Sequence, residues 1–222
     1  MDSIYGQYAP QLVVIAEEMR SRIEAAAREE ATLQGHTVVE HVRMRVKSEE
    51  SMREKCRRLS LPETPESALL EIHDAIGVRV VTRFVDDIGR IAARIRTLPG
   101  VSVYTEKDYV SQAKSNGYRS YHMVLIVASM YRDVLERSPG LWYCEVQLRT
   151  IAMDTWAALE HELSYKQDVV DSRIIAAELK RVADELASCD LSMQTLRTII
   201  RGKPIPPLTS DSSFSVKYEN EK

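Results

Sequence analysis

HDAIGVRVVTRFVDD, residues 73–87, decides how the chain is to be read. Residues 76–84 are rich in β-branched side chains and read as a strand. Asp86 and Asp87 then open a helix, where the dipole favours acids, and Pro99-Gly100 ends it. Alternation puts Ile76, Val78, Val80 and Thr82 on one face of the strand and Gly77, Arg79, Val81 and Arg83 on the other. An unpaired buried cation is costly, so two arginines in an apolar strand call for anionic partners.

Working outward, apolar positions at Leu12, Ile15, Met19, Ile23 and Ala26 give helical spacing over 8–34, closed by Gly35. A strand is expected over 37–46, a helix capped by Ser48 running to about Leu59, and a short helix over 66–73. Met52, Cys56 and Leu59 are expected to face inward from the second of these helices. Strands follow at 101–109, 119–127 and 141–149, then a helix from about 152 to 166. A last helix over 171–201 carries Ile175, Leu179, Val182, Leu186, Cys189, Met193, Leu196 and Ile200 in a seam of alternating fours and threes. That seam suits packing on the chain's own domain or on another subunit. Residues 203–222, rich in Pro, Ser and charge, read as a flexible tail.

The resulting fold class is α+β, a mixed central sheet flanked by helices, with long N- and C-terminal helices. The domain plan is an N-terminal helix at 1–36, a central domain at 37–168, a helical segment at 169–202 and the tail. With 44% hydrophobic and 28% charged residues, the 222-residue chain can build a sizeable core. A net charge of −3 argues against bulk attraction to nucleic acid or membrane. Cys56, Cys144 and Cys189 lie far apart and read as buried small hydrophobes of a reducing compartment. No apolar run approaches the ~18 residues needed to cross a bilayer, so a cytoplasmic protein is expected.

Chemistry gathers in four segments. In RVKSEESMREKCRR (45–58), Ser51, Lys55 and Arg58 share a helix face, with Arg45 and Lys47 arriving from the preceding strand. Such a cation stripe suits a polyphosphate; the plainer reading is a solvated face offset by Glu49, Glu50 and Glu54. CEVQLRT (144–150) puts Glu145, Gln147 and Arg149 on one face, either a site wall or an exposed polar sheet face. SNGYRSYH (115–122) crowds an Asn-Gly turn, two tyrosines and a histidine against a strand, more than a hairpin needs. Asp74 and Glu145 form a carboxylate pair able to hold Mg²⁺ against nucleotide phosphates, with one placed to take a hydroxyl proton. That is a layout for phosphoryl transfer without a GxxxxGK[ST] loop. His73-Asp74 lacks the further His and Asp ligands of an HD-type hydrolase.

These motifs, with DAIGVRVV, KDYVSQAKSNGYRSYH and CEVQLRTIAMDTWAALEHELSYK in order, resemble the alarmone synthetases of the RelA/SpoT group over about residues 37–168. The length is similar to that of the single-domain small alarmone synthetases, and AMDTWAALEHELSYK resembles their RelQ-like branch. The resemblance implies a nucleotidyltransferase-like domain that moves pyrophosphate from ATP to the ribose 3′-hydroxyl of GDP or GTP, without hydrolase activity. It implies that Arg45, Lys47, Ser51, Lys55, Arg58 and Arg79 hold ATP. Asp74 and Glu145 would bind Mg²⁺, Glu145 also acting as base. Lys114, Tyr118, His122, Gln147 and Asp154 would bind GDP or GTP, with Tyr118 stacked on guanine. The implied partners are the nucleotides, further copies of the chain in a homotetramer through the C-terminal helices, and an allosteric nucleotide or single-stranded RNA.

The sequence departs from the family's pattern in Asp154 where many relatives carry Asn, in a long connection at 128–141, and in Tyr165-Lys166-Gln167 without a second aromatic. Two rival readings remain. One is the same chemistry on an adenine nucleotide or a tRNA 3′ end; the other is an inactive nucleotide- or RNA-binding sensor.

Overall fold

The structure, a computed structural model, describes residues 3–165 and 172–202. The tail at 203–222 and the Lys166-Gln167 ending lie outside the described residues. The elements run α1 (Ala9–Gln34), β1 (Val39–Val46), α2 (Glu49–Arg58), a π-helical turn at Ser67–Glu71, β2 (Ile76–Thr82), α3 (Val85–Arg96), β3 (Val101–Asp108), β4 (Tyr121–Ser129), β5 (Gly140–Thr150), α4 (Ile151–Tyr165) and α5 (Ser172–Ile200). The five strands form one sheet in the order β1-β2-β5-β4-β3. Only β2 and β5 run parallel; every other pair is antiparallel, so the sheet is mixed as expected.

One face of the sheet carries the core. Val78 and Val80 of β2, Met123, Leu125 and Val127 of β4, and Trp142, Cys144, Val146 and Leu148 of β5 are buried there. They join Leu12, Ile15, Met19 and Ile23 of α1 and Ile88, Ile91 and Ile95 of α3 in one cluster. Each of these fully buried aliphatic side chains stabilises the fold by about 1.5–3 kcal/mol. The alternate residues of the same strands face away from this cluster, toward the site.

Ser48 caps α2 as expected, its hydroxyl accepting from Ser51 N at 3.3 Å. Met52 and Cys56 are buried, but Leu59 is 50% exposed. The helix ends where expected, with Leu59 as its C-cap, but Ser60 then turns left-handed at φ 56°, and Leu61 N donates to Cys56 O at 2.9 Å. This helix-ending bond reverses the chain and gives the inward place to Leu61. Cys189 is likewise exposed rather than buried.

The α5 seam splits. Leu179, Val182 and Leu186 are half-buried, whereas Cys189, Met193, Leu196 and Ile200 are exposed, Ile200 at 82%. A 3.5-residue seam drifts by roughly 20° per heptad around a straight helix, so its second half leaves the docked face. The docked line runs instead through Ala183, Asp190, Gln194 and Arg197. Arg197 fixes the far end: Nη1 reaches both Asp87 carboxylate oxygens at 2.9 Å, and the guanidinium lies 4.1 Å from the Phe84 ring.

The long β4–β5 connection is tied around Asp133, which is 1% exposed. Its carboxylate accepts from the backbone N–H groups of Leu135, Arg137 and Leu141 and from Arg137 Nε at 2.6 Å. Burial pushes its pKa up, but the amides and Arg137 prevail and hold it below the usual value. A depressed carboxylate stabilises the fold above the unfolded pKa and loses that contribution as pH falls through the folded one. Asp133→Asn is therefore expected to cost about 2 kcal/mol at neutral pH. The deficit, read by urea denaturation, should shrink as pH falls below the ordinary aspartate value of about 3.9 and through the lower folded one.

Candidate active site

Strand register lays the site out in two rows across the open face. One row is Arg45, Gly77, Glu145 and Val124; the next is Arg43, Arg79, Gln147, His122 and Lys107. Arg79 and Gln147 are neighbours because β2 and β5 pair in parallel, which sequence alternation alone does not specify. The rows border two adjoining clefts of about 260 and 690 Å³ that share Arg45, Arg79 and Gln147. Lys47, Ser51, Lys55 and Arg58 line the larger cleft from β1 and α2, and Tyr118, Arg149, Ala157 and Ala158 line its other side.

Among the described residues no carboxylate pairs with Arg43, Arg45 or Arg58. Cations therefore line this cleft in excess. Asp74, in the lead-in to β2, accepts from Lys55 Nζ at 2.7 Å and pairs with Lys47 Nζ at 3.1 Å, both through Oδ2. Its Oδ1 is buried without a hydrogen-bond partner. Burial acts to raise its pKa, but Lys55 and Lys47 hold it below the ordinary carboxylate value.

Glu145 belongs to a closed ring of hydrogen bonds. Its Oε1 lies 3.3 Å from His122 Nδ1, and His122 Nε2 lies 2.8 Å from the Tyr118 hydroxyl. Arg149 Nη2 donates to that hydroxyl at 2.8 Å and to Gln147 Oε1 at 2.9 Å. Gln147 Nε2 closes the ring on Glu145 Oε2 at 2.9 Å. Burial raises the Glu145 pKa, but His122 and Gln147 outweigh it and keep the group ionised, against a small opposing push from Asp74. Asp154, at the start of α4, is bonded to Arg149 at 3.0 Å and pairs with Arg79 at 3.3 Å.

The β3–β4 connection completes the site. Gly117 turns at φ 91°, and its N–H donates to Lys114 O at 2.8 Å. Lys114 Nζ sits 4.7 Å from the Tyr109 ring centroid and 4.9 Å from that of Tyr118. Trp156 of α4 meets Tyr118 edge-on at 6.3 Å.

All thirteen residues singled out from the sequence thus border one connected region: Arg45, Lys47, Ser51, Lys55, Arg58, Asp74 and Arg79 on one side, and Lys114, Tyr118, His122, Glu145, Gln147 and Asp154 on the other. Arg83 does not join them; it lies past the end of β2 and pairs with Glu40 at 2.8 Å. Arg43 and Trp156 are not read from the sequence as site residues, and Arg149, placed there on one face with Glu145 and Gln147, is given no role of its own. The alternation in HVRMRVK put Arg43 beside Arg45, and EVQLR put Arg149 beside Gln147, so both carried a signal.

The donor set suits a magnesium ion held jointly with substrate phosphates. Asp74 and Glu145 are ionised, and Asp74 Oδ1 lacks a partner. Among the described residues no group of three His, Cys, Asp or Glu side chains could hold a metal alone. No helix among them is long and apolar enough to cross a membrane.

Residues 44–170 match the "Region found in RelA / SpoT proteins". The chain is 34% identical to the GTP pyrophosphokinase YwaC of Bacillus subtilis over 152 residues, 68% of this chain and 70% of that one. It is 32% identical to the GTP pyrophosphokinase YjbM of the same organism over 166 residues, 73% and 74% of the two chains. Among solved structures, small alarmone synthetase 1 from Bacillus subtilis bound to its product pppGpp superimposes with a TM-score of 0.74 at 28% identity, covering 86% of this chain and 94% of that one. The same enzyme bound to AMPCPP gives a TM-score of 0.68 at 26% identity and equal coverage. More than half of the chain matches the shared region, and the chain belongs to the RelA/SpoT family.

Proposed function

We propose that the chain is a GTP pyrophosphokinase of the small alarmone synthetase kind, which transfers pyrophosphate from ATP to the ribose 3′-hydroxyl of GDP or GTP and makes ppGpp or pppGpp. The observation that carries the reading is the pair of carboxylates, Glu145 in the smaller cleft and Asp74 bonded to Lys47 and Lys55 of the larger, both held below the usual carboxylate pKa beside a cleft lined by cations on one side and by Tyr118 on the other. In the transfer the 3′-oxygen bonds to the β-phosphorus of ATP, the bridge to the α-phosphate breaks, and AMP leaves with the bridging oxygen. Glu145 takes the hydroxyl proton. Arg45, Lys47, Ser51, Lys55, Arg58 and Arg79 bind and orient the ATP phosphates, which fixes the in-line approach. Asp74 and Glu145 are the residues that would hold a magnesium ion, which when bound would neutralise charge on the phosphates.

Tyr118 stacks on guanine, and Lys114 and His122 meet the acceptor phosphates. Gln147 and Asp154 line the acceptor pocket; Asp154, already shared between Arg149 and Arg79, can accept but not donate hydrogen bonds. The enzyme is read as a cytoplasmic homotetramer, assembled on the outer face of α5, where Leu191, Met193, Leu196 and Ile200 are exposed. A monomeric mass by light scattering at micromolar concentration would remove that assembly.

The deciding assay supplies labelled ATP and Mg²⁺ with GDP, GTP, ADP and tRNA separately. Label on a guanine nucleotide is the expected result; label only on ADP or tRNA would sink the reading. In the same assay Tyr118→Ala should raise the acceptor KM about tenfold, the value of one stacked base, with the ATP KM unchanged.

A further inference from the structure

The tyrosine on the acceptor side has its own backing, and that backing is α5. The loop over 109–120 is tied at its base by Asp108, which accepts from Val110 N and Ser111 N; at its tip Tyr118 N donates to Asn116 Oδ1, and the Tyr118 hydroxyl is held by Arg149 and His122. What fixes the tip in space lies elsewhere in the chain. Gly117 is buried, and a methyl group built on it would stand 2.5 Å from the Ala183 methyl carbon and 3.5 Å from Lys180 Cα. Loop backbone and helix backbone therefore touch through the smallest side chains on both sides. Ala183 is 4% exposed, the most buried apolar residue of α5. Arg119, next to Tyr118, holds Val110 O at 3.0 Å and reaches Asp184 at 3.8 Å. Trp156 wedges the same corner, its indole N–H donating to Leu179 O at 2.8 Å while its ring meets Tyr118.

We infer that α5 is the back wall of the acceptor site, with Ala183 and Asp184 as positioning residues that set where Tyr118 stands. The inference rests on the acceptor role given to Tyr118 above. The match to the RelA/SpoT region ends at residue 170, so this wall comes from chain outside it. Its consequence is selective. A shift of α5 by the width of a side chain moves the acceptor tyrosine but leaves β1, β2 and α2, where the donor cations sit.

The test uses the full chain with Ala183→Leu as a wedge, Ala183→Val as a milder one, and Asp184→Ala to release Arg119 without added bulk. Ala176→Leu, at an exposed position of the same helix, is the control. Steady-state KM for GDP and for ATP, kcat and thermal midpoint are measured for each. Ala183→Leu should raise the GDP KM about tenfold or more, with the ATP KM and kcat within about twofold, and Ala183→Val and Asp184→Ala should follow more weakly. Ala176→Leu should change none of them.

If Ala183→Leu fails to unfold cooperatively, Ala183→Val and Asp184→Ala decide. Equal rises in both KM values, or an unchanged GDP KM in all three variants, overturn the inference. Calorimetric titration of GDP gives the same comparison without turnover. A wild-type chain that binds GDP but transfers nothing therefore counts against the functional reading alone. A wild-type chain that binds no GDP overturns both.

Discussion

Glu145→Gln is expected to lower kcat by about a thousandfold while the ATP KM changes by less than about threefold. The size follows from two losses at one atom pair. The amide cannot take the 3′-hydroxyl proton, and it removes one of the two anionic groups available to a divalent cation. The change also disturbs the ring, because both Glu145 oxygens now act as acceptors, toward His122 and toward Gln147 Nε2. A glutamine has only one acceptor oxygen, so its NH₂ must face one of these donors and break that bond. On the proposed assignment the ATP phosphates are held by β1, α2 and Arg79, so donor binding is expected to be spared. The assay is steady-state transfer with ATP varied at fixed GDP, alongside a thermal midpoint. A rate within tenfold of wild type would remove Glu145 from the chemistry.

Much of this arrangement was legible in the sequence, for reasons that differ by residue. Arg79, Glu145 and Gln147 were readable because a strand has period two, and a charged residue every second position on an otherwise apolar strand marks one face. Ser51, Lys55 and Arg58 were readable because Ser48 fixes the phase of α2. What period cannot supply is which strands are neighbours. The parallel pairing of β2 with β5, which sets Arg79 beside Gln147 and Gly77 beside Glu145, is a tertiary fact.

The same limit explains two misplaced apolar residues. Leu59 has the spacing of an inward residue, but the left-handed Ser60 ends the helix there, and serine gives no strong warning of that conformation. Cys189 lies on a seam read at 3.5 residues per turn, while a straight helix docks at 3.6, so the seam rotates off the domain. The contact between Gly117 and Ala183 was invisible altogether. It depends on two small residues 66 positions apart: Gly117 reads only as half of an Asn-Gly turn, and Ala183 does not stand out in its helix.

Arg149→Leu is expected to lower kcat/KM for the acceptor by about two orders of magnitude, while the ATP KM rises by only a few-fold. Arg149 is 5% exposed and holds three groups at once: the Tyr118 hydroxyl, Gln147 Oε1 and Asp154 Oδ1. Its bond to Gln147 Oε1 turns the amide so that Nε2 points at Glu145, so the arginine orients a second neighbour of the base. Leucine supplies no donor in place of the guanidinium, at about 1–3 kcal/mol for a group left unpaired. Asp154 retains Arg79, and the Tyr118 hydroxyl retains His122, so the loss falls mainly on Gln147 and on the ring geometry. Arg149→Lys should recover only a small part, since one ammonium cannot span the positions of a planar fork. The two variants separate charge from geometry. If lysine restored full activity, Arg149 would matter only as a positive charge near Asp154. A loss shared by lysine and leucine, with thermal midpoints close to wild type, would identify the fork itself as what holds the acceptor tyrosine and the base in register.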